Sequence, residues 1–348
     1  MTHKTLIGGT AYNIIGGTSL IDGVQYSIIG GKTLVDGTEY NISFMPPIYA
    51  MYYLDGSLVF QVGDDSDNSK TLADSYTDFE DATTPPWNGC QENFTSVSFD
   101  TEIVPISMAY WFNNSLNLVS NISNFINLNI DNLIDMKNTY YNCINLTGSP
   151  VCGDKVTRMD NTYHNCRNLT GSPVCGNNVT DMRCTYYGCT NLTGSPVCGD
   201  KVTVMNSTYY NCRNLTGSPV CGNNVVNIKG AYYNCRNLTG SPVCGVKVTD
   251  MDGAYYNCTN LTGNAYFYSS VVANAQNCFG NRNTSNRLNI YVPTNSLTNT
   301  TVHYTNAYSL VGAEITWTDD GDCQYNTVYN IYIYPVDDVS AVRVSNGD

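Results

Sequence analysis

The sequence predicts a mainly β protein organised around a solenoid, with a short strand and tight turns in each 23-residue unit. Three observations predict it. First, the unit Tyr-Tyr-Asn-Cys-x-Asn-Leu-Thr-Gly-Ser-Pro-Val-Cys-Gly-x-x-Val-Thr-x-Met recurs at a constant step. It sets one cysteine series at Cys143, Cys166, Cys189, Cys212, Cys235 and Cys258, and another at Cys152, Cys175, Cys198, Cys221 and Cys244. Second, a shorter repeat opens the chain, with Asp-Gly pairs between β-prone runs. Third, the long repeat decays at both ends, as terminal units that must cap a stack do.

In chain order, residues 1–44 form the N-terminal β-repeat. Lys4–Gly17, Thr18–Gly31 and Lys32–Phe44 share a (K/T)-(T/S)-Leu-(Ile/Val)-(Gly/Asp)-Gly-x-x-Tyr-x-Ile pattern. Asp22-Gly23 and Asp36-Gly37 suit two-residue hairpin turns, and Gly16-Gly17 and Gly30-Gly31 are read as return turns. The expectation is a meander of about six strands, too thin to bury much by itself and therefore suited to attachment and oligomerisation.

Residues 45–93 form a small acidic β-hairpin region. Pro46-Pro47 opens it, and Asp55-Gly56 divides a hairpin over Tyr49–Gly63. Asp64-Asp65-Ser66-Asp67-Asn68 is read as a solvated acidic turn. Lys70 stands where a calcium loop starting at Asp65 needs glycine, and the bidentate Glu is missing.

Residues 94–293 form the solenoid, starting near Phe94. Leu146, Val151, Val156, Met159 and Tyr163, with their equivalents, are its inward positions, and the Met column runs Met136, Met159, Met182, Met205, Ile228, Met251. Pro150 cannot donate to a ladder, so the strand in each unit is short or offset. Cys143 and Asn145 equivalents are ladder candidates. Leu288–Val292 reads as a closing strand stopped by Pro293. Residues 294–348 form a C-terminal cap, with a short helix near Thr301–Leu310 and strands near Ile315–Thr318 and Val328–Tyr334.

Composition narrows the function. Charged residues make up only 13% of the chain, while 28 Tyr and abundant Asn supply polarity. Such a surface meets partners through rigid rings and neutral hydrogen-bonding groups. A net charge of −13 argues against nucleic acid. The charge is uneven: the region 136–258 carries more bases than acids between two acidic flanks. The bland reading is solvated faces; the sharper one is a preference for an anionic glycan or surface polymer.

Of the fifteen cysteines, eleven occur where each repeat needs a small buried residue, the others being Cys90, Cys184, Cys278 and Cys323, and they are read as free thiols folded in a reducing compartment. Met-Thr-His-Lys-Thr-Leu-Ile-Gly-Gly has no apolar h-region, so no signal peptide is expected, and no apolar run is long enough to span a membrane. The Asn-Leu-Thr triplets match a glycosylation acceptor but are read as structure.

No catalytic residues, metal ligands or cofactor are assigned. The histidines are His3, His164 and His303, and His164 is a repeat variant of Tyr. Cysteines nine apart do not match a zinc knuckle, and Cys184–Cys189 is one irregular pair with a weak claim to a disulfide or metal. The candidate contact surface is the second aromatic of each unit, which points out as an exposed column or braces the fold half-buried. With the variable position three residues on, it gives Tyr141, Arg167, Tyr187, Tyr210, Arg213, Tyr233, Arg236 and Tyr256.

Tyr163-His164-Asn165-Cys166-Arg167-Asn168-Leu169 followed by Val179-Thr-Asp-Met182 resembles the leucine-rich repeats of BspA-like bacterial surface antigens. Their pattern is Phe-x-x-Cys-x-x-Leu-x-x-Ile with a Val-x-x-Ile half-turn; here Gly-Ser-Pro-Val-Cys replaces the alternating strand. The N-terminal units resemble short repeats in tail- or fibre-associated proteins of phages and prophages of gut Firmicutes. These resemblances imply a non-enzymatic virion appendage, made in the host cytoplasm and displayed on the virion surface. Its partners would be a host-surface glycan or protein, other virion proteins through the N-terminal repeats, and sister copies in a homo-oligomer such as a trimer. The alternatives are a bacterial cell-surface adhesin and a virion glycan-degrading enzyme.

Overall fold

The computed structural model describes strand segments within residues 3–43, residues 47–119 except 65, 68 and 81, and residues 127–269. It also describes 272–293 apart from 273, 276, 282–284 and 286, together with 316–317, 324–326 and 331–345. The protein is mainly β; among the described residues the one α-helix, α1 (Val339–Ser345), has seven residues. Two compact units are present: Met1–Thr77 with Ser98–Glu102, and Asp78–Val97 with Ile103–Asp348.

In the first unit, β1 (His3–Ile7) pairs with β2 (Thr10–Ile14), β3 (Thr18–Ile21) with β4 (Val24–Ser27), and β5 (Gly30–Val35) with β6 (Thr38–Ser43), all antiparallel. Ile21 pairs with Val24 and Val35 with Thr38, while the expected turn residues Asp22-Gly23, Asp36-Gly37 and Gly16-Gly17 lie outside the described residues. Among the described residues the six expected strands form three two-stranded sheets, where a continuous meander was expected. Gly30-Gly31 is no return turn: it extends β5, with Gly30 opposite Ser43.

The same unit holds β7 (Ile48–Tyr53), β8 (Ser57–Val62) and β9 (Leu72–Tyr76), joined at the β8 edge by β10 (Ser96–Phe99) in the order β10-β8-β7-β9. Gly56, at φ 86°, supplies the left-handed turn between β7 and β8. Ala50, Leu58 and Phe60 are buried on one face and Met51 and Tyr53 on the other, and Phe60 stacks on Phe99 at 4.5 Å. Strand β9 had no counterpart in the sequence reading.

The second unit begins with a plug of Phe79, Trp87 and Trp111, whose rings meet at 5.5–5.8 Å, while Trp87 Nε1 donates to Trp111 O. The 23-residue units then lie in register on one another. Single parallel bridges run Asp135↔Arg158↔Asp181↔Val204↔Asn227↔Asp250, after longer first steps at Ile103↔Leu128 and Ser107↔Asp135.

Amides beyond each bridge alternate in direction. The N–H groups of Met159, Asn161, Tyr163 and Asn165 donate to carbonyls of the next unit; those of Thr162, His164 and Cys166 close turns onto carbonyls three residues back. This alternation satisfies a buried backbone without forming a strand. It requires left-handed residues at two places per unit. One series is Asn142, Asn165, Gly188, Asn211, Asn234 and Asn257; the other is Asn138, Asn161, Cys184, Ser207, Gly230 and Gly253. Asn tolerates this region better than other side chains, which explains its abundance.

Buried columns fill the interior. Leu146, Leu169, Leu192, Leu215 and Leu238, the Val156 series and the Met column are fully buried, each side chain contributing about 1.5–3 kcal/mol. The first aromatics form a continuous ladder from Phe112 through Tyr140, Tyr163, Tyr186, Tyr209, Tyr232 and Tyr255 to Phe279, with centroids 5.1–5.7 Å apart.

The Gly-Ser-Pro-Val-Cys stretch is barely strand. It pairs at Val220↔Val243 and becomes β11 (Val243–Cys244) in the last regular unit. Elsewhere a buried tyrosine braces it. Tyr163 Oη donates to Val151 O at 2.9 Å and accepts from Val151 N at 3.0 Å, and Tyr186 and Tyr209 repeat this with Val174 and Val197. Val151 is consequently half-buried, and Pro150 takes the inward place expected of it.

The expected closing strand, β13 (Leu288–Pro293), is interior. Parallel strands β11, β12 (Gly263–Phe267), β13 and β16 (Ile331–Val336) continue antiparallel into β15 (Gln324–Asn326) and β14 (Thr316–Trp317). Leu288, Ile290, Val292, Ile331 and Ile333 alternate inward. The helix expected near Thr301–Leu310 lies outside the described residues.

Candidate functional site

The second aromatics form a second ladder. Tyr141, His164, Tyr187, Tyr210, Tyr233 and Tyr256 stack at 4.5–4.7 Å with interplanar angles of 3–17°, and all are half-buried. His164, Tyr187, Tyr210 and Tyr233 therefore have both ring faces covered by neighbouring rings. Gly280 closes on Tyr256 as well: a Cβ placed there would sit 2.8 Å from the ring. What this column offers a ligand is ring edges and hydroxyls. Tyr210 and Tyr233 hydrogen-bond through their hydroxyls, and desolvation holds both phenols protonated by raising their pKa.

Beside the aromatics runs the left-handed Asn column, and beyond it the variable position. Arg167, Arg213 and Arg236 are exposed there, interleaved with half-buried Ile144, Thr190 and Thr259. Arg213 Nε donates to Asn211 Oδ1 at 2.8 Å and Arg236 Nε to Asn234 Oδ1 at 2.9 Å. This contact fixes the start of each guanidinium fork and turns an Asn required by backbone geometry into an arginine holder. The predicted residues thus fall into two parallel columns on one face. Sequence reasoning missed the Asn column between them, although every Tyr-Tyr-Asn triplet carried the signal.

The chain matches no protein-family model, no curated protein and no solved structure.

The other cations of the stack are held differently. Arg158 bridges Asp135 and Asp160, Lys137 approaches Asp160, Arg183 chelates Asp181, and Lys229 pairs with Asp252. Lys155, Lys201 and Lys247 rest on Asn132, Asn178 and Asn224 of the preceding units at 2.6–2.7 Å. Asp135, Asp181, Asn227 and Asp250 also cap the amide two residues on, so this variable column is structural.

The cysteines split into two classes, and all fourteen described ones are free. In the Cys143 series each thiol is fully buried and donates to a carbonyl of the preceding unit: Cys166 Sγ to Tyr140 O, Cys189 to Tyr163 O and Cys212 to Tyr186 O, at 2.9–3.0 Å. Burial pushes these thiols well up. The second series is less enclosed than a core position demands. Cys152, Cys175 and Cys198 are half-buried, with Cys152 and Cys198 raised by desolvation to about 12, and only Cys221 and Cys244 are buried. Thiols held protonated in this way are poor nucleophiles and poor ligands. Cys184 occupies a left-handed position, so its irregular spacing from Cys189 reflects turn geometry. No group of three or more metal-binding side chains occurs among the described residues.

Proposed function

We propose that this protein is a non-enzymatic bacteriophage virion appendage, a fibre or receptor-binding or decoration protein. In this reading the in-register stack is a leucine-rich-repeat solenoid of BspA-like type that binds a host-surface glycan or protein. One observation carries the proposal: an aromatic column runs along six successive units beside a column in which Arg167, Arg213 and Arg236 are interleaved with Ile144, Thr190 and Thr259. A repeated, shallow, extended surface suits weak contacts with a repetitive target, summed by multivalent display. The three separate N-terminal hairpins support attachment, since two-stranded ribbons gain stability by docking on other virion proteins or sister copies. Free thiols fit folding in a reducing cytoplasm before display outside the cell.

Proteomics and labelled electron microscopy of particles induced from a bacterium encoding the chain test this. The expected result is the chain on intact particles, with purified protein adsorbing to susceptible cells. Its absence from particles, with recovery on the producing cell's own surface, favours an adhesin. Depolymerisation of host glycan by the purified chain favours an enzyme.

A further inference from the structure

Among the described residues, Arg167, Arg213 and Arg236 form no ion pair with a carboxylate; the column of Lys155, Lys201 and Lys247 lacks one as well, but each of those ammoniums hydrogen-bonds an Asn of the preceding unit and has no planar fork. Arg213 and Arg236 occupy successive units, which places like charges about 5 Å apart along the stack, a mildly unfavourable arrangement. Elsewhere the same repeat resolves such charges with an acid one unit or two residues away, as Asp135 and Asp160 do for Arg158. Here the flanking residues are Asn, Thr and Ile: Asn211 takes Nε of Arg213, Asn234 takes Nε of Arg236, and the Asn257 carboxamide oxygen accepts from Arg236 Nη2 at 3.2 Å. All three arginines are exposed, so positive charge in adjacent units stays open to a ligand without a carboxylate to offset it. The ring faces that would stack on a neutral sugar are already covered by other rings.

We propose that the ligand of this face is an anionic surface polymer carrying a repeating phosphodiester or carboxylate, held by Arg167, Arg213 and Arg236 and bordered by the tyrosine hydroxyls. This inference rests on the host-binding reading above. Successive anions bridge Arg213 and Arg236, and Arg167, two units earlier, engages the polymer about 10 Å further along. The phenols donate to flanking oxygens without adding charge. Nucleic acid is the less favoured polyanion, because unpaired bases bind by stacking on open aromatic faces.

The full-length chain is tested by equilibrium binding to poly(glycerol phosphate), polygalacturonate, uncharged dextran and an oligothymidylate. The expected result is binding to one or both of the first two, weakening with salt; which of them binds separates phosphate from carboxylate. R213Q/R236Q should lose about tenfold or more, and K155Q/K201Q, on another corner, should bind as the parent does. R213K/R236K, which keeps both charges, should lose several-fold through the missing fork. Tightest binding to dextran or to the oligonucleotide overturns the proposal. So does binding that R213Q/R236Q leaves unchanged, or that K155Q/K201Q weakens equally. The chain found on particles without arginine-dependent polymer binding sinks this inference alone; its absence from particles sinks the appendage reading, whatever it binds.

Discussion

At the scale of single residues, identical sequence positions carry different energetic weight according to what the next unit offers. Tyr186 and Tyr255 are both fully buried and occupy the same repeat position. Tyr186 satisfies the N–H and C=O of Val174, whereas the Tyr255 hydroxyl is buried without a hydrogen-bond partner. Its counterpart, Val243, has joined β11, where N–H and C=O bond to Pro219 and Cys221. Tyr186→Phe is therefore expected to cost about 1–3 kcal/mol, and Tyr255→Phe close to nothing; denaturant unfolding of the two variants reads the difference. His164 is a second case. Desolvation between Tyr141 and Tyr187 lowers its pKa below the usual 6.5, so the unfolded chain binds the proton more readily. Its contribution is fully present above about pH 6.5 and fades as pH falls through the depressed folded value. Between pH 7.5 and 5, the melting temperature of H164Y is expected to fall less than that of the parent.

At the scale of the repeat element, thiols and turn geometry set the fold's tolerance. The Cys166 thiol fills a core space and also bonds to Tyr140 O, so Cys166→Ala should cost about 2 kcal/mol. Alkylation of the native protein should modify half-buried Cys90, Cys175 and Cys184 well before the Cys143 series, a difference that mass spectrometry resolves and unfolding abolishes. Gly188 has φ 73° and lies under Asn165, where its equivalents are Asn. Gly188→Asn should be tolerated; Gly188→Val should lower stability by about 1–2 kcal/mol or more, since a β-branched side chain resists the left-handed region.

At the scale of the whole molecule, unit 2 is a register-dependent array between an aromatic plug and a parallel sheet. Each regular unit contacts its neighbours through the same columns, so one whole unit is dispensable in a way that a fraction is not. Deletion of residues 159–181 is expected to leave a cooperatively folded, slightly less stable protein; deletion of 159–170 should abolish the cooperative transition, both followed by circular dichroism.

The 23-residue period, the buried Leu, Val, Met and Tyr columns, the Asp-Gly hairpins and the alignment of Tyr141 through Tyr256 with Arg167, Arg213 and Arg236 were legible in the sequence by itself. A fixed period forces equivalent residues into columns whatever the backbone does between them. Three things were settled only by tertiary structure. Val151 and Cys152 are half-buried, because the Tyr163 hydroxyl reaches across the interior to the Val151 backbone. Among the described residues the N-terminal hairpins do not join into one meander, because turn residues encode the pairing within a hairpin and not the pairing of one hairpin with the next. The tyrosine faces are closed while the arginine forks stay open. The distance between units sets ring against ring, and no acid in the flanking columns answers the arginines.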